Sequence, residues 1–341
     1  MGTNTNLRKA KREKNDEFYT QMCDIEKELF HYKDQFRDKV IYCNCDDPYE
    51  SNFFKYFALN FNFFGIKKLI TTNYVKHVHT NSYKIEITKV PDITGDGAVN
   101  LSDVEYLLKH DKNTSSPLEG NGAFQSQECI ELLKQADIVV TNPPFSLFRE
   151  YVVKLTEHEK KFLIIGNINA VTYREVFPLI KDNKVWLGYC NNRKQFEVPE
   201  PSDNSTSGKQ LKTVGAVWYT NLDTKKCYQK MDFYRKYSPE LYPKYDNYDA
   251  IEVSKVCDIP ADYDGVMGVP ITFLNKYNPE QFEIVGSFNA GKAGEEIGAC
   301  TVQIVSSGKT CSHNGPVING KAVYRRIVIR HRRVKPAGGT E

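Results

Sequence analysis

Between Val40 and Leu187 the chain repeats one pattern: a short, continuously apolar and often β-branched run, followed by an amphipathic stretch. A strand that is apolar at every position, rather than at alternate ones, has both faces covered. Strands of that kind separated by helices form a parallel sheet with helices on either side. The runs Val40 to Cys43, Lys67 to Thr71, Ala136 to Thr141, Lys161 to Ile168 and Lys184 to Leu187 are the expected strands. Ser51 to Phe64 is an expected helix, with Phe53, Phe54, Phe57, Ala58, Phe61 and Phe64 at helical spacing and Gly65 as its stop. Glu128 to Gln135, Ser146 to Leu155 and Tyr173 to Lys181 are the other expected helices. The expected fold class is therefore α/β, a doubly wound and mostly parallel sheet. In such sheets ligands bind at the carboxyl ends of the strands. Two polar turns fall on that edge: Asn44-Cys45-Asp46-Asp47-Pro48 and Asn142-Pro143-Pro144-Phe145.

After about Tyr189 the texture changes. Asn191 to Lys212 is polar and loop-like, Val214 to Thr220 is a short strand, and the last hundred residues are β-rich and irregular. Three regions are expected: a basic arm over 1–15, a catalytic domain over 16–189, and a β-rich region over 190–341 that packs partly back on it. No apolar stretch reaches the roughly 18–20 residues of a membrane span, and the first 14 residues lack a signal peptide's apolar core. The expectation is an intracellular, cytoplasmic protein that makes no membrane contact. Its 9 cysteines are scattered, and Cys43 with Cys45 is half a zinc site at most, so neither a disulfide framework nor a metal centre is expected. The net charge is only +3, but it is uneven. Arg8, Lys9, Lys11, Arg12 and Lys14 crowd one end; Arg325, Arg326, Arg330, Arg332, Arg333 and Lys335 crowd the other. Basic runs are as often solvated tails as polyanion contacts.

Asn142-Pro143-Pro144-Phe145 does more than end a strand. An amino group on an aromatic ring is a poor nucleophile because its lone pair is delocalised. Two oxygen acceptors aimed at its two N–H bonds favour a pyramidal nitrogen and return the lone pair. The Asn142 side-chain oxygen and the Pro143 carbonyl supply two. Pro144 removes an N–H that would compete and stiffens the loop. Phe145 supplies a ring that can stack on a base. No strong base is needed when the electrophile is already activated, as a sulfonium methyl is.

Asn-Pro-Pro-Phe is also motif IV of the amino-methyltransferases, and I-V-V-T-N-P-P-F-S-L-F-R-E-Y resembles the EcoRI-type adenine-specific DNA methylase family. D-E-F-Y-T-Q (from Asp16), V-I-Y-C-N-C-D-D-P (from Val40), S-N-F-F-K-Y-F (from Ser51), Y-P-K-Y-D-N-Y-D-A-I (from Tyr242) and G-V-M-G-V-P-I-T-F-L (from Gly265) resemble it too, across most of the chain. The resemblance implies a class I, Rossmann-like methyltransferase with its motifs in the γ order and a target-recognition region last. It implies S-adenosylmethionine as cofactor, held by Phe18, Tyr19 and Thr20, by Asn44, Asp46, Asp47 and Pro48, by Gly122 and Phe124, and by Asn142. Ala123 stands where the family tends to carry an acid, and Thr71, Thr72 and Asn73 stand where an acid usually ends the second strand. Double-stranded DNA is the implied substrate, with the target adenine rotated out of the stack. Arg8, Lys9, Lys11, Arg12, Arg325, Arg326 and Arg330 are the expected phosphate contacts, and Tyr324 to Arg330 alternates as a strand with one basic face. A restriction-modification setting, a cognate endonuclease and a monomeric enzyme belong to the same implication. Transfer to another amino nitrogen (RNA adenine, cytosine N4 or protein glutamine) and a non-catalytic nucleic-acid-binding module remain alternatives.

Asp92 to Asp103 also fits a calcium loop, with oxygens at positions 1, 3, 5, 9 and 12 and Gly97 at position 6. The competing reading is a surface turn whose acids cap a helix starting at Leu101.

Overall fold

A computed structural model of the chain describes residues 19–45, 47, 49–75, 82–110, 115–191, 194–198, 210–306 and 308–332. The chain divides into two compact units, Met1–Val176 with Leu187–Thr224, and Phe177–Trp186 with Lys225–Glu341.

The first unit is built on an eight-stranded sheet. Its strands are β1 (Val40–Cys43), β2 (Lys68–Thr72), β3 (Tyr83–Ile87), β4 (Ser115–Pro117), β5 (Ile138–Thr141), β6 (Lys161–Asn167), β7 (Trp186–Leu187) and β8 (Ala216–Thr220). They lie in the order β4-β3-β2-β1-β5-β6-β8-β7. The four central strands β2, β1, β5 and β6 are parallel, while β3, β4 and β8 pair antiparallel on the flanks. The parallel centre follows the apolar runs. All four residues of β5 are buried, as are the last three of β1.

The helices are α1 (Met22–Leu29), α2 (Asn52–Leu59), α3 (Leu101–His110), α4 (Gln127–Gln135), α5 (Phe148–Glu157) and α6 (Phe177–Lys181), with a separate turn of helix at Phe61–Phe64. Helix α2 starts where the Ser51 hydroxyl accepts the Phe53 N–H at 3.1 Å. The single helix expected from Ser51 to Phe64 is broken at Asn60, whose side-chain amide donates to the Tyr56 carbonyl at 2.9 Å. Gly65, in the left-handed region at φ 64°, ends the second piece. The helix expected over Tyr173 to Lys181 is only its last turn, α6. Ahead of it the Asn167 side chain accepts the Asn169 N–H and opens a 3-10 turn over Ile168–Thr172.

The stretch from Asn191 to Lys212, expected to be loop, contains two strands, Lys194–Val198 and Gln210–Val214. They pair antiparallel, and Lys194–Val198 pairs on its other side with Tyr19–Thr20. Buried Phe196 carries that ribbon into the core, and polar composition hid it. The buried carboxylate of Glu28 on α1 sets where the ribbon begins by accepting the N–H groups of Tyr189 (2.8 Å) and Cys190 (2.6 Å). Gly188 leaves room for it; a Cβ there would lie 2.2 Å from Glu28 Oε1.

In the second unit a four-stranded sheet runs Ile251–Glu252, Met267–Pro270, Arg326–His331, Phe282–Phe288. Helix α6 belongs with this unit: the Lys181 ammonium donates to the Val285 carbonyl at 2.8 Å. The strand expected to have one basic face is central, not marginal. Ile327, Val328 and Ile329 are buried in succession, so both of its faces are covered at mid-strand. Among the described residues no helix is long and apolar enough to cross a membrane.

Candidate active site at the carboxyl edge

β1 and β5 are parallel neighbours, with Ile41 opposite Ile138 and Tyr42 opposite Val139. From β1 the chain passes through α2 to β2 on one side; from β5 it passes through α5 to β6 on the other. The sheet order reverses between them, and that reversal opens a crevice at their carboxyl ends. Asn44 follows β1 and Asn142 follows β5, so both turns meet there. The Thr141 hydroxyl donates to the Asn44 carbonyl, and the Tyr151 hydroxyl donates to Asn44 Oδ1. Asn44 is buried, and among the described residues its Nδ2 donates to no acceptor.

The corner itself runs Asn142 half-buried, Pro143 buried, Pro144 half-buried and Phe145 buried. The Pro144 carbonyl accepts the Leu147 N–H at 2.9 Å, which turns the chain into α5. Among the described residues nothing donates to the Pro143 carbonyl. Phe148, the first residue of α5, packs against β6, where a Cβ on Gly166 would meet its ring at 2.4 Å. Phe145 meets Phe196 edge-on, with ring centroids 6.1 Å apart at 89°. Phe196 is the backbone partner of Thr20. The ribbon therefore joins the corner to the amino-terminal motif, a link that sequence reading missed because its one signal is a single Phe in a polar run.

Thr20 is 4% exposed and its Oγ1 has no hydrogen-bond partner among the described residues. Its carbonyl accepts from the Asn52 amide at 2.8 Å. Asp47 closes the turn after β1. It accepts the Tyr49 N–H at 2.9 Å and the Tyr83 hydroxyl at 3.3 Å. Burial, with the Asp47 carboxylate second, pushes the Tyr83 phenol up. Gly122 sits at φ 73°, and a Cβ on it would lie 1.9 Å from the Asn73 carbonyl oxygen, so the loop lies directly on the end of β2. Phe124 packs edge-on against Tyr151 at 4.9 Å.

Thr71, Thr72 and Asn73 are engaged within the protein. The Thr71 hydroxyl donates to the Cys43 carbonyl at 2.9 Å, the Thr72 hydroxyl is 3.1 Å from that of Tyr42, and Asn73 Oδ1 accepts the Tyr83 N–H at 2.6 Å. The expectations for Arg8, Lys9, Lys11, Arg12, Phe18, Asp46 and Pro48 lie outside the described residues, as does the side chain of Tyr19.

Of the C-terminal arginines, Arg330 is exposed and Arg325 half-buried, its guanidinium 5.4 Å from the Tyr324 ring centroid. Arg326 is different. Its Nε is 3.0 Å from both carboxylate oxygens of Glu252, and the two side chains are only 13% and 5% exposed. The Tyr245 hydroxyl also donates to Glu252; burial first, then the Glu252 charge, pushes that phenol up. The Arg326 fork is thus spent inside its own unit.

In the 92–103 loop the acids bind backbone. Asp92 accepts from Gly95 and Gly97 N–H at 2.7 and 2.8 Å. Asp103 accepts from Ile93, Thr94 and Asn100 at 2.9, 2.8 and 2.8 Å, while Asn100 Oδ1 accepts from Ser102 at 2.7 Å. Asn100 and Asp103 are the two halves of a capping box for α3. Backbone donors, that of Asn100 first, hold the Asp103 carboxyl below the usual carboxylate range. Among the described residues no group of three or more His, Cys, Asp or Glu is placed to hold a metal.

Comparison with known proteins covers nearly the whole chain. The family model described as "Adenine-specific methyltransferase EcoRI" matches residues 6–332. The Type II methyltransferase M.EcoRI of Escherichia coli is 46% identical over 351 residues, covering 98% of both chains. M.MgeORF184P of Mycoplasma genitalium is 38% identical, covering 96% of this chain and 98% of its own. M.MpnI of Mycoplasma pneumoniae is 39% identical, covering 95% and 97%.

Proposed function

The chain belongs to the family of the adenine-specific methyltransferase EcoRI, and from that premise we propose that it transfers a methyl group from S-adenosylmethionine to N6 of adenine in double-stranded DNA, as the modification half of a Type II restriction-modification pair. The observation that carries this reading is the adjacency of two turns. Asn142-Pro143-Pro144-Phe145 and Asn44 lie side by side where the sheet order reverses, tied by Thr141.

The residues present fit the cofactor. Thr20 carries a buried hydroxyl with no partner among the described residues, and Asn44 is a buried residue whose carboxamide oxygen, not its amino group, is taken up by Tyr151. Polar groups in such surroundings fit a polar ligand, because burying them unpaired is unfavourable. Phe18, Tyr19 and Thr20, with Asn44, Asp46, Asp47 and Pro48, hold it in this reading, and Gly122, Phe124 and Asn142 border it. When bound, S-adenosylmethionine supplies an electrophilic methyl on a sulfonium.

Adenine N6 is inaccessible in the stack, so the base must leave it, at a cost of a few kcal/mol. Asn142 Oδ1 accepts one of its N–H bonds and the Pro143 carbonyl the other. Pro144 offers no competing N–H. Phe145, steadied by Phe196, is the stacking partner of the base. The proton leaves nitrogen for water once the new N–C bond has formed, and among the described residues of the corner no strong base stands to remove it earlier. Arg325 and Arg330, with the basic arm of Arg8, Lys9, Lys11 and Arg12, hold phosphate, and 190–341 carries target recognition. We infer a cytoplasmic monomer with a cognate endonuclease in its host.

Tritiated S-adenosylmethionine offered with duplex DNA, RNA and protein acceptors in parallel tests the substrate. The expected product is N6-methyladenine in duplex DNA. Label confined to RNA, protein or cytosine overturns the assignment.

A further inference from the structure

Tyr151 takes part in none of the chemistry above, yet it bonds to one turn of the site and lies on the helix that follows the other. It is 1% exposed and sits on the first helical turns after the Asn142 corner. Its hydroxyl donates to Asn44 Oδ1 and its ring is held edge-on by Phe124 at 4.9 Å. Asn44 is thereby fixed twice. Thr141, the last residue of β5, holds its backbone carbonyl; Tyr151, on the helix that follows the same corner, holds its side chain.

A carboxamide has two chemically opposite ends that differ little in size, so an unrestrained Asn presents either to a ligand. A phenol donor on Oδ1 decides the matter. The oxygen faces Tyr151, and the amino end is left for whatever occupies the crevice. We propose that Tyr151 is a positioning residue: it orients the Asn44 carboxamide so that Nδ2 donates to the cofactor, and it ties that donor to the element carrying Asn142. The inference rests on the reading of Asn44 as a cofactor contact. It adds a role for Tyr151, the last residue of the stretch from Ile138 that resembles the family, nine residues beyond Asn142.

Binding of S-adenosylhomocysteine to the full chain, measured by calorimetry alongside thermal unfolding of the unliganded protein, tests it. Tyr151→Phe keeps the ring against Phe124 and removes only the donor. Binding is expected to weaken about ten-fold, the effect of one mis-set buried hydrogen bond. Asn44→Ala is expected to weaken it at least as much. Tyr151→Phe added to Asn44→Ala is expected to cause no further loss, since both changes remove one interaction. Asn44→Asp keeps an acceptor for the phenol and deletes the amino donors. Because it also buries a carboxylate it is expected to melt somewhat lower and, in the folded fraction, to lose affinity, so the test survives even where Tyr151→Phe folds poorly. Wild-type affinity in Tyr151→Phe, with or without a lower melting temperature, makes Tyr151 a packing residue and overturns the inference. Full additivity of the two losses overturns it too. Wild-type affinity in Asn44→Ala removes the cofactor role of Asn44 itself, and the inference with it.

Discussion

At the scale of single residues, the site is a set of close approaches more than a set of charges. Gly122 shows this best. Its residue type was legible as a candidate contact, but its reason was not. Positive φ and the Asn73 carbonyl 1.9 Å from a would-be Cβ leave no room for a side chain. Gly122→Ala is expected to destabilise the protein by more than about 1 kcal/mol, read as a fall of a few degrees in melting temperature; an unchanged melting temperature contradicts the packing described. Asn142 and Phe145 stood out in the sequence because proline pairs and their neighbours are local signals. Asn44 and Tyr151 are bonded across 107 residues, and no local pattern encodes such a pair.

Elements were legible where burial was continuous and illegible where one residue did the anchoring. The apolar runs marked β1, β2, β5 and β6 to within a residue or two. The ribbon over 194–214 escaped because Phe196 is its one buried aromatic in a polar stretch, and pairing with Tyr19–Thr20 rather than composition makes it a strand. Helix α3 was foreseen, and its start is set by a capping box. The Asp103 carboxyl is held below its ordinary range, so its contribution is fully present above about pH 4, the unfolded carboxylate range, and is lost as pH falls through the lower folded value. Asp103→Asn is accordingly expected to lower the melting temperature at neutral pH, with the gap to wild type closing under acid. A gap that stays constant from neutral pH into acid contradicts the assignment.

Over the whole molecule, the basic C-terminus divides in two. Arg330 is solvent-facing, whereas Arg326 is paired with buried Glu252 on a central strand. Removing one partner of a buried pair costs about 3–5 kcal/mol. Arg326→Ala is therefore expected to fail in folding, and Arg330→Ala to fold normally while weakening DNA binding and reducing its salt dependence by about one unit of slope. Equal melting temperatures for the two variants, or an unaltered salt slope in Arg330→Ala, contradict this division. Sequence showed six clustered cations, but not which were committed, because the carboxylate that claims Arg326 lies 74 residues away. The sheet order that brings Asn44 beside Asn142 is likewise a property of the assembled fold.

The most direct test is single-turnover methyl transfer to N6 of adenine in duplex DNA, with DNA and cofactor saturating, by wild type and Asn142→Ala. A rate at least about 100-fold lower is expected in the variant, with the affinities for DNA and S-adenosylhomocysteine within a few-fold of wild type. A variant that transfers at the wild-type rate contradicts it.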